Sequence, residues 1–450
     1  MNRLSRTAGA PPVRIVHLGL GNFFRAHQAW YTAAAPDAAE WGIAAFTGRS
    51  AGLADALSGQ GGLYTLVVRG PDGDACEVVG SVVAAHPGTG LAPWYDYLTR
   101  PEVSIVTLTV TEAAYLRGPD GGLDVSHPGL RADLAALRAD PRASVTTVPA
   151  RLVAGLAARR AAGAGPLTVV SCDNLPDNGA AAARVVTDLA ALLGPGLAEW
   201  IRDTIPFATT MVDRITPATT EDDARAVEEL TGWSDAAPVV TEPYTEWVLS
   251  GEFPGGRPAW DAAGALFVPD VTPYERRKLW LLNGGHSLLA YAGSARGHET
   301  VAQAVADPRC RSWLEQWWDE ASRHLTLPPG EIAAYRGALI ERWSNPRIQH
   351  RLAQIAADGS QKLPVRILPT VRAERAAGRM PGGAVRAVTA WIAHLRGAGA
   401  PVRDAAADAV RDAAAGPPAE AARRVLTLLG PDLAADDALV AAVTDGLVGS

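Results

Sequence analysis

Cysteine is scarce in this chain, and the few residues present lie far apart. Cys76, Cys172 and Cys310 form an odd, sparse set. Such a set predicts neither a disulfide framework nor the spacing of a zinc site. It is typical of proteins kept in a reducing compartment. We therefore expect a cytoplasmic protein without a metal ion.

The chain also lacks long apolar runs and any excess of basic residues. No run approaches 18 apolar residues, so the sequence predicts no membrane span. The first residues, MNRLSRTAGAPPV, contain no apolar segment of the kind that a secretory signal needs. The 41 Lys and Arg residues are outnumbered by 48 Asp and Glu residues, which argues against a general nucleic-acid binder. A length of 450 residues with 48% hydrophobic residues predicts a globular protein of two or three domains.

Patterns of strands and helices alternate through the first part of the chain. Short apolar runs predict strands at Arg14–Leu18, Trp41–Thr47, Val103–Val110 and Leu167–Ser171, and hairpin strands at Val78–Ala85 after the PDGD turn. Helical patterns lie between them, for example at Leu130–Arg138 and Arg151–Ala162. This alternation predicts a parallel α/β sheet.

The pattern becomes almost entirely helical after about residue 272. Helices are predicted at Tyr274–Tyr291, Thr300–Ala306, Arg311–His324, Glu331–Arg342 and Pro346–Ala357, followed by three Ala-rich segments. We predict an α/β domain over residues 1–272 and an all-α domain over residues 273–450. The segment 241–270, which contains GEFPGGRP, is expected to connect them.

The first predicted strand runs directly into the sequence GLGNFFR. Gly19 can form a tight turn, and Gly21 would let the backbone approach a pyrophosphate at the start of the next helix. The third glycine of the dinucleotide fingerprint is missing, because position 24 is Phe. The turn therefore predicts a Rossmann-type dinucleotide-binding domain, with a plain strand–turn–helix as the alternative.

The end of the second predicted strand bears on the choice of dinucleotide. An acidic residue there would bind the ribose hydroxyls of NAD, but the strand ends in Thr-Gly-Arg-Ser. Arg49 can accommodate a 2′-phosphate, or it can be a solvated surface residue. The choice between NAD and NADP stays open at this point.

The helical part opens with a segment rich in polar groups. In an α-helix, Lys278, Asn283 and His286 would lie at about 0°, 140° and 80° around the axis, and so share one face. A dehydrogenase needs a base, and a lysine desolvated near other cations, here Arg276, Arg277 and His286, can serve as one. The pair Gly284 and Gly285 costs about 1 kcal/mol per residue in a helix, which suggests close approach of a backbone or ligand. The alternative is a helix with a lysine on its rim and a histidine at its edge.

Two further polar clusters follow predicted strands. SCDNLPDNG, residues 171–179, follows LTVVS, and the carboxyl ends of parallel strands are where α/β proteins bind ligands. The alternative is an Asx-rich turn that caps the next helix. MVDRITP, residues 211–217, contains Asp213 and Arg214, which can equally form a salt bridge.

Taken together, these segments resemble the mannitol dehydrogenase family, the long-chain polyol and aldonate dehydrogenases. The resemblance runs from about residue 13 to residue 400. It rests on GLGNFFRAHQ, GLYTL, LTVTEAAY, SCDNLPDNG, MVDRITP, EPYTEW, residues 278–286, ERWSNP and DGSQKLP, in that order. It implies an NAD(P)-dependent, metal-independent dehydrogenase, and a monomer or weak homo-oligomer that acts on a small sugar acid or polyol.

The resemblance also implies roles for individual residues. Lys278 corresponds to a lysine general acid/base, Asn174 and Asn283 to the groups that stabilise an oxyanion, and His286 to a substrate-binding histidine. From the turn and the resemblance together, the cofactor site is assigned to Gly19, Gly21, Asn22, Phe23, Arg25, Arg49, Thr109, Glu112 and Asp213. Asp213 is also assigned to the substrate, together with Lys362 of DGSQK.

One departure from the mannitol-oxidising members concerns the substrate. Those members carry an arginine eight residues before the DGSxK lysine, where this chain has Gln354. The form HRLAQIAADGSQKLP instead resembles the fructuronate reductases of the family, also called mannonate oxidoreductases. We hypothesise that Arg351, Lys362 or both bind the carboxylate of mannonate, since a guanidinium matches a carboxylate in geometry. The alternative places Arg351 on a solvated helix face.

The resemblance leaves two rival functions. The same chemistry on mannitol or arabinitol would use an uncharged substrate. A non-catalytic dinucleotide-binding sensor belongs to a different class, but it would have no need of the Lys278 base.

Overall fold

The computed structural model describes residues 2–48 and 50–449. It divides into two compact units, the first ending at Val271 and the second beginning at Thr272. Within the described ranges, none of the helices has both the length and the apolar character needed to cross a bilayer.

Within residues 2–48 and 50–271, the first unit contains three sheets with flanking helices. Its strands are β1 (Asn2–Arg3), β2 (Val13–Leu18), β3 (Gly42–Phe46), β4 (Tyr64–Arg69), β5 (Asp74–Val79), β6 (Val82–His86), β7 (Ile105–Leu108), β8 (Thr168–Ser171), β9 (Phe207–Asp213), β10 (Trp233–Ser234), β11 (Val239–Thr241), β12 (Glu246–Ser250) and β13 (Leu266–Phe267). Its helices are α1 (Asn22–Ala26), α2 (Gln28–Ala34), α3 (Gly52–Ser58), α4 (Ala92–Leu98), α5 (Pro128–Ala139), α6 (Val148–Ala162), α7 (Asn178–Leu193), α8 (Pro195–Thr204) and α9 (Glu221–Thr231), with 3₁₀ turns at Ala38–Glu40 and Glu112–Tyr115.

The main sheet has the order β13-β12-β9-β8-β7-β2-β3-β6 among the described residues. Every pair from β6 to β9 is parallel, as the apolar runs predict. The chain builds outward from β2 to β3 and β6, then returns to β7 on the opposite side of β2. This reversal makes the carboxyl ends of β2 and β7 the topological switch point, where open α/β sheets bind ligands.

Two sequence predictions for this unit need correction. Of the segment Val78–Ala85, only Val78 and Val79 belong to a hairpin strand, β5, which pairs antiparallel with β4 across the PDGD turn, whereas β6 joins the main sheet beside β3. The segment 241–270 is not a mere connection, because β12 pairs antiparallel with β9 and parallel with β13. The apolar residues Trp247, Val248 and Leu249 of β12 are fully buried in this extension of the main sheet, as is Trp260.

The second unit is helical. Its α-helices are α10 (Thr272–Arg277), α11 (Gly285–Leu288), α12 (Val301–Ala306), α13 (Pro308–Ser322), α14 (Pro329–Trp343), α15 (Leu352–Ile355), α16 (Gly359–Arg366), α17 (Leu368–Ala376), α18 (Gly382–Leu395), α19 (Ala407–Ala414), α20 (Pro418–Leu429), α21 (Pro431–Ala434) and α22 (Asp437–Val448). Helix α18 is buried along most of its length and packs against α13, α17 and α22. The predicted helix over 346–357 is wrong for residues 346–351, and only α15 forms there.

The segment that carries Lys278 is helical but not uniformly α-helical. Lys278–Gly284 and Leu289–Gly293 are π-helical, with α11 between them. The indole N–H groups of Trp317 and Trp318 donate to the carbonyls of Trp280 and Leu281 at 3.0 and 2.9 Å. These bonds satisfy carbonyls inside a π turn, a form of helix that is rare and frequent at functional sites.

The π turn changes the geometry predicted for the polar face. The hydrogen bonds of a π-helix join residues i and i+5. Lys278 and Asn283 are therefore about one full turn apart and lie on nearly the same side of the axis, whereas in an α-helix they would be about 140° apart. The two glycines that follow have a different cause from the predicted one. A Cβ at Gly284 would lie 2.7 Å from the ring of Trp317, and one at Gly285 would lie 2.8 Å from Trp343. Tryptophan rings, rather than a backbone or a ligand, therefore require both glycines.

Candidate active-site groups in the two units

In the first unit, Gly19 holds the turn after β2 against the end of β7. Its φ is +116°, and a Cβ there would lie 2.0 Å from the carbonyl oxygen of Thr109. The Thr109 hydroxyl donates to the Gly19 carbonyl at 2.9 Å, and the Gly19 N–H donates to the Phe46 carbonyl at 3.0 Å. The turn therefore joins the ends of β2, β3 and β7 at the switch point. Thr109 contributes here by holding Gly19, a role that the sequence did not predict.

Gly21 has no such neighbours. Its φ is −148°, and the nearest atom to a Cβ would be 3.6 Å away. The protein itself does not require glycine at this position. Space for a ligand close to the backbone, as the sequence predicts, would explain its presence.

Phe24 occupies the place of the missing third glycine. Its ring stacks on His17 of β2 with centroids 3.5 Å apart and planes 7° from parallel. Burial lowers the pKa of His17 to about 3, so the imidazole is neutral and behaves as a flat core side chain. An aromatic pair thus supplies the helix–strand packing that a glycine usually allows. The helix that follows the turn is short, since α1 ends at Ala26.

The structure does not place Arg25 where a cofactor could use it. Its guanidinium is buried and donates to the Ala237 carbonyl, to Asn22 Oδ1 at 2.7 Å and to the Gly21 carbonyl at 3.3 Å. Asn22 in turn donates to the carbonyl of Pro217 at 3.4 Å. Because a buried guanidinium must satisfy its donors internally, Arg25 braces the turn instead of facing a ligand. Phe23 is half-buried beside His27, and Arg49 lies outside the described residues.

Polar groups gather at the carboxyl ends of β7, β8 and β9. Asp213 is the last residue of β9 and is buried, whereas Asn174 follows β8 and is exposed. Glu112 is exposed at the start of a 3₁₀ turn. Arg214 donates to the carbonyls of Ala26 and Glu242, and burial lowers its pKa to about 10. The arginine therefore braces the loop after β9 through backbone carbonyls.

Asp173, next to Asn174, ties two strand ends together. Its carboxylate accepts hydrogen bonds from the Val110 N–H and the Tyr115 hydroxyl. Burial raises the pKa of Asp173 to about 7, against the effect of these two donors. Sequence reasoning did not single out Asp173, because an Asp in a polar turn carries no signal of where its side chain will be buried.

Asp173→Asn is expected to remove a pH dependence of stability. The pKa of this carboxyl is higher in the folded than in the unfolded state, so the folded state binds more protons between pH about 4 and about 7. Its contribution to stability is therefore full at low pH and is lost as the pH rises through this range. Urea unfolding at about pH 5 and about pH 8 should show wild type losing stability relative to the variant. Asp120→Asn, at an exposed carboxylate, is the control. If the difference in unfolding free energy between wild type and Asp173→Asn does not change with pH, the raised pKa of Asp173 is contradicted.

The second unit contains a pocket of about 200 Å³ near the carboxyl end of the π turn. Among the described residues its lining is mostly polar and consists of Asn283, His286, His350, Gln354, Ile355, Lys362 and Arg366. Three of the predicted residues, Asn283, His286 and Lys362, are thus brought together. Lys278 is half-buried at the start of the π turn. Of the cations expected to surround Lys278, Arg276 is exposed and Arg277 stacks on Tyr335 at 4.1 Å.

The burial and hydrogen bonding of His286 suit it to bind a polar ligand. It is 5% exposed and stacks on Trp343, with centroids 4.5 Å apart. Its Nε2 has no hydrogen-bond partner within the part of the chain that the structure describes. Burial, together with His350, Arg342 and Arg366, holds the pKa of His286 well below its ordinary value. A neutral imidazole can either donate to or accept from a substrate hydroxyl.

Lys362 reaches the pocket from α16. Helix α16 begins after Asp358, whose φ of 55° turns the chain, and the Lys362 ammonium donates to the Ile355 carbonyl at 3.2 Å. Burial and the neighbouring Arg366 lower the pKa of Lys362.

The structure does not support the prediction that Arg351 binds a carboxylate beside Lys362, and it shows the exposed Arg351 of the alternative, although not on a helix. Arg351 precedes α15 in a bridge to Thr300, and its exposed guanidinium pairs with Glu299 at 2.6 Å. It does not line the pocket. The prediction required a continuous helix before Asp358, and residues 346–351 do not form one. Arg366 lies in the pocket instead, and a helical spacing of four residues from Lys362 is the signal that would have found it.

One other cluster has the composition of a metal site. The ligand atoms of His298, Asp307 and Cys310 lie within 4.8 Å of one another. Asp307, however, pairs with Arg296 at 2.7 Å and accepts the Arg309 N–H at 2.8 Å. Because a guanidinium already neutralises the carboxylate, this cluster is a braced cap at the start of α13.

Comparison with known proteins identifies the family. Residues 13–262 match the model of the mannitol dehydrogenase Rossmann domain, and residues 270–448 match that of the mannitol dehydrogenase C-terminal domain. D-mannonate oxidoreductase of Escherichia coli K12 is 39% identical over 394 residues, 85% of this chain and 80% of that protein. Mannitol 2-dehydrogenase of Cereibacter sphaeroides is 37% identical over 391 residues, 85% of this chain and 81% of its own length. The structure of Pseudomonas fluorescens mannitol 2-dehydrogenase with NAD and D-mannitol superimposes with a TM-score of 0.84 at 33% identity, covering 100% of this chain and 94% of the other. The chain therefore belongs to the mannitol dehydrogenase family of oxidoreductases.

Proposed function

We propose that this protein is an NAD-dependent oxidoreductase that interconverts D-mannonate and D-fructuronate. The observation that carries the proposal is the polar pocket of the second unit, where an ammonium lies with a neutral imidazole and an amide. Gln354 also lines this pocket, at the position where the resemblance implies an arginine in mannitol-oxidising members. The 39% identity to a D-mannonate oxidoreductase supports the same substrate. The rival substrates are uncharged polyols such as mannitol or arabinitol.

The first unit would hold the cofactor at the switch point of its sheet. The strained turn at Gly19 and the open space above Gly21 fit a dinucleotide backbone, and Asp213 lies at the end of a neighbouring strand. The bound cofactor supplies the hydride acceptor for alcohol oxidation and the hydride donor for ketone reduction. We propose NAD, the cofactor present in the related Pseudomonas structure.

The proton chemistry belongs to the chain. In oxidation, the Lys278 amine takes the proton of the hydroxyl that is oxidised, and in reduction the ammonium returns it. The side-chain amides of Asn174 and Asn283 donate to the developing alkoxide, whose charge is greatest in the transition state. His286 positions a neighbouring hydroxyl, for which its neutral imidazole and unpartnered Nε2 are suited.

A reduction assay with three ketoses tests the proposal. D-fructuronate, D-fructose and D-xylulose are each offered with NADH and with NADPH. We expect the highest kcat/KM with fructuronate and NADH. A clear preference for an uncharged ketose would contradict the proposed substrate, and no turnover with any of them would favour the non-catalytic sensor.

A further inference from the structure

We propose that Arg366 is the residue that binds the substrate carboxylate and selects an aldonate over a polyol. This inference rests on the proposed function and adds to it the group that binds the negative charge of the substrate. Arg366 is the last residue of α16, one helical turn after Lys362, and both side chains line the same pocket. Residues four apart on a helix share a face, so an ammonium and a guanidinium are presented side by side.

Arg366 is held at the pocket by contacts with the π-helical segment. Its Nη1 donates to the Ser287 hydroxyl at 3.2 Å and lies 3.4 Å from the carbonyl of Asn283. Ser287 is 1% exposed, which makes it a fixed anchor. One nitrogen of the guanidinium is thus oriented by the same segment that carries the proposed oxyanion donor Asn283 and the hydroxyl-binding His286.

The charge of the pocket favours an anion. Among the described residues that line it, Lys362 and Arg366 carry positive charge and none is acidic. Burial lowers the pKa of both histidines, to about 4 for His350, so neither competes as a cation near neutral pH. Asp358 and Asp404 act on Lys362 from outside the lining, and Asp404 is engaged with Ser360. A carboxylate offers the guanidinium two oxygens in matching geometry, which an uncharged polyol cannot do.

Steady-state kinetics of Arg366→Gln on fructuronate and on fructose tests the proposal. Loss of a hydrogen bond to a charged group is expected to raise KM for fructuronate by about 10- to 100-fold. KM for fructose should change far less, because that substrate has no carboxylate. Arg366→Lys, which keeps the charge but not the paired donors, should give an intermediate KM for fructuronate. The matched control is Arg372→Gln. Arg372 lies on the next helix, α17, where its exposed side chain pairs with Asp432, so this variant should leave KM for fructuronate and for fructose unchanged.

The possible results separate the two claims. If wild type reduces fructuronate and Arg366→Gln retains the wild-type KM for it, the inference about Arg366 is wrong and the proposed function stands. An equal loss on both ketoses would also overturn the inference, because it would indicate a structural role. If wild type reduces fructose but not fructuronate, the proposed function fails and the inference with it. Arg366→Lys supplies the comparison if Arg366→Gln does not fold.

Discussion

Lys278→Ala is expected to lower kcat by about 10²- to 10⁴-fold while leaving cofactor binding nearly unchanged. Without the amine, no side chain of this segment can take the hydroxyl proton: His286 is a weak base because of its depressed pKa, and Asn283 cannot titrate. The cofactor turn lies in the first unit and contains none of the altered atoms. Single-turnover absorbance of NADH and fluorescence titration of NADH binding measure the two effects separately.

Lys278→Arg provides a sharper version of this test. It keeps the positive charge and much of the length, but a guanidinium does not lose its proton in proteins. If Lys278 transfers a proton, the arginine variant should be as inactive as the alanine variant. If Lys278 serves only as a positive charge, arginine should restore much of the rate. Wild-type turnover in either variant would show that another group is the base.

The composition of the chain is informative on this point. Of its 41 Lys and Arg residues, only Lys278 and Lys362 are lysines, and both are assigned to the site. Elsewhere arginine fills the cationic positions, where a permanent charge and several donors suffice. The proposed function needs a compact amine that can give up its proton at Lys278, a requirement that arginine could not meet. Amine-selective modification therefore has few targets beside the chain terminus, and protection of both lysines by substrate would support their placement.

Gly19→Ala is expected to weaken both the fold and cofactor binding. The positive φ alone costs a non-glycine residue about 1–3 kcal/mol, and the new Cβ would also collide with the Thr109 carbonyl. Because the atom that the new Cβ would meet is the backbone carbonyl oxygen of Thr109, directly after β7, no side-chain rotation can relieve the collision. The free energy of unfolding should fall, and KM for NADH should rise at least about tenfold, the factor that corresponds to about 1.4 kcal/mol.

Two matched variants assign the cause. Gly21→Ala meets no protein atom within 3.5 Å at an ordinary φ, so it should leave thermal stability nearly unchanged but raise KM for NADH. Gly73→Ala, in an exposed hairpin turn with no atom within 4 Å, should change neither. If Gly21→Ala binds NADH as tightly as wild type, the cofactor does not approach this turn closely, and the cofactor assignment would have to move.

Prediction from the sequence was most successful where a pattern repeats. Apolar runs located the parallel strands, because both faces of such strands are buried, and 3.6-residue periodicity identified the helical half, because one face of each helix is buried. It failed where a side chain's partner is distant in sequence. Arg25 was assigned to the cofactor site but stabilises the turn through internal hydrogen bonds, and Arg351 was placed on a helix that residues 346–351 do not form.

The sequence by itself determined the fold class and the family, since these depend on local periodicity and on motifs in a particular order. Only the tertiary structure decided which arginine lies in the polar pocket of the second unit. The sequence gives no reason to prefer Arg366 to Arg351. In the structure, Arg351 pairs with Glu299, whereas α16 and the hydrogen bond to Ser287 hold Arg366 in the pocket with His286. The sequence likewise did not predict the π turn, because two of its carbonyls, those of Trp280 and Leu281, accept hydrogen bonds from Trp317 and Trp318, each 37 residues further along the chain.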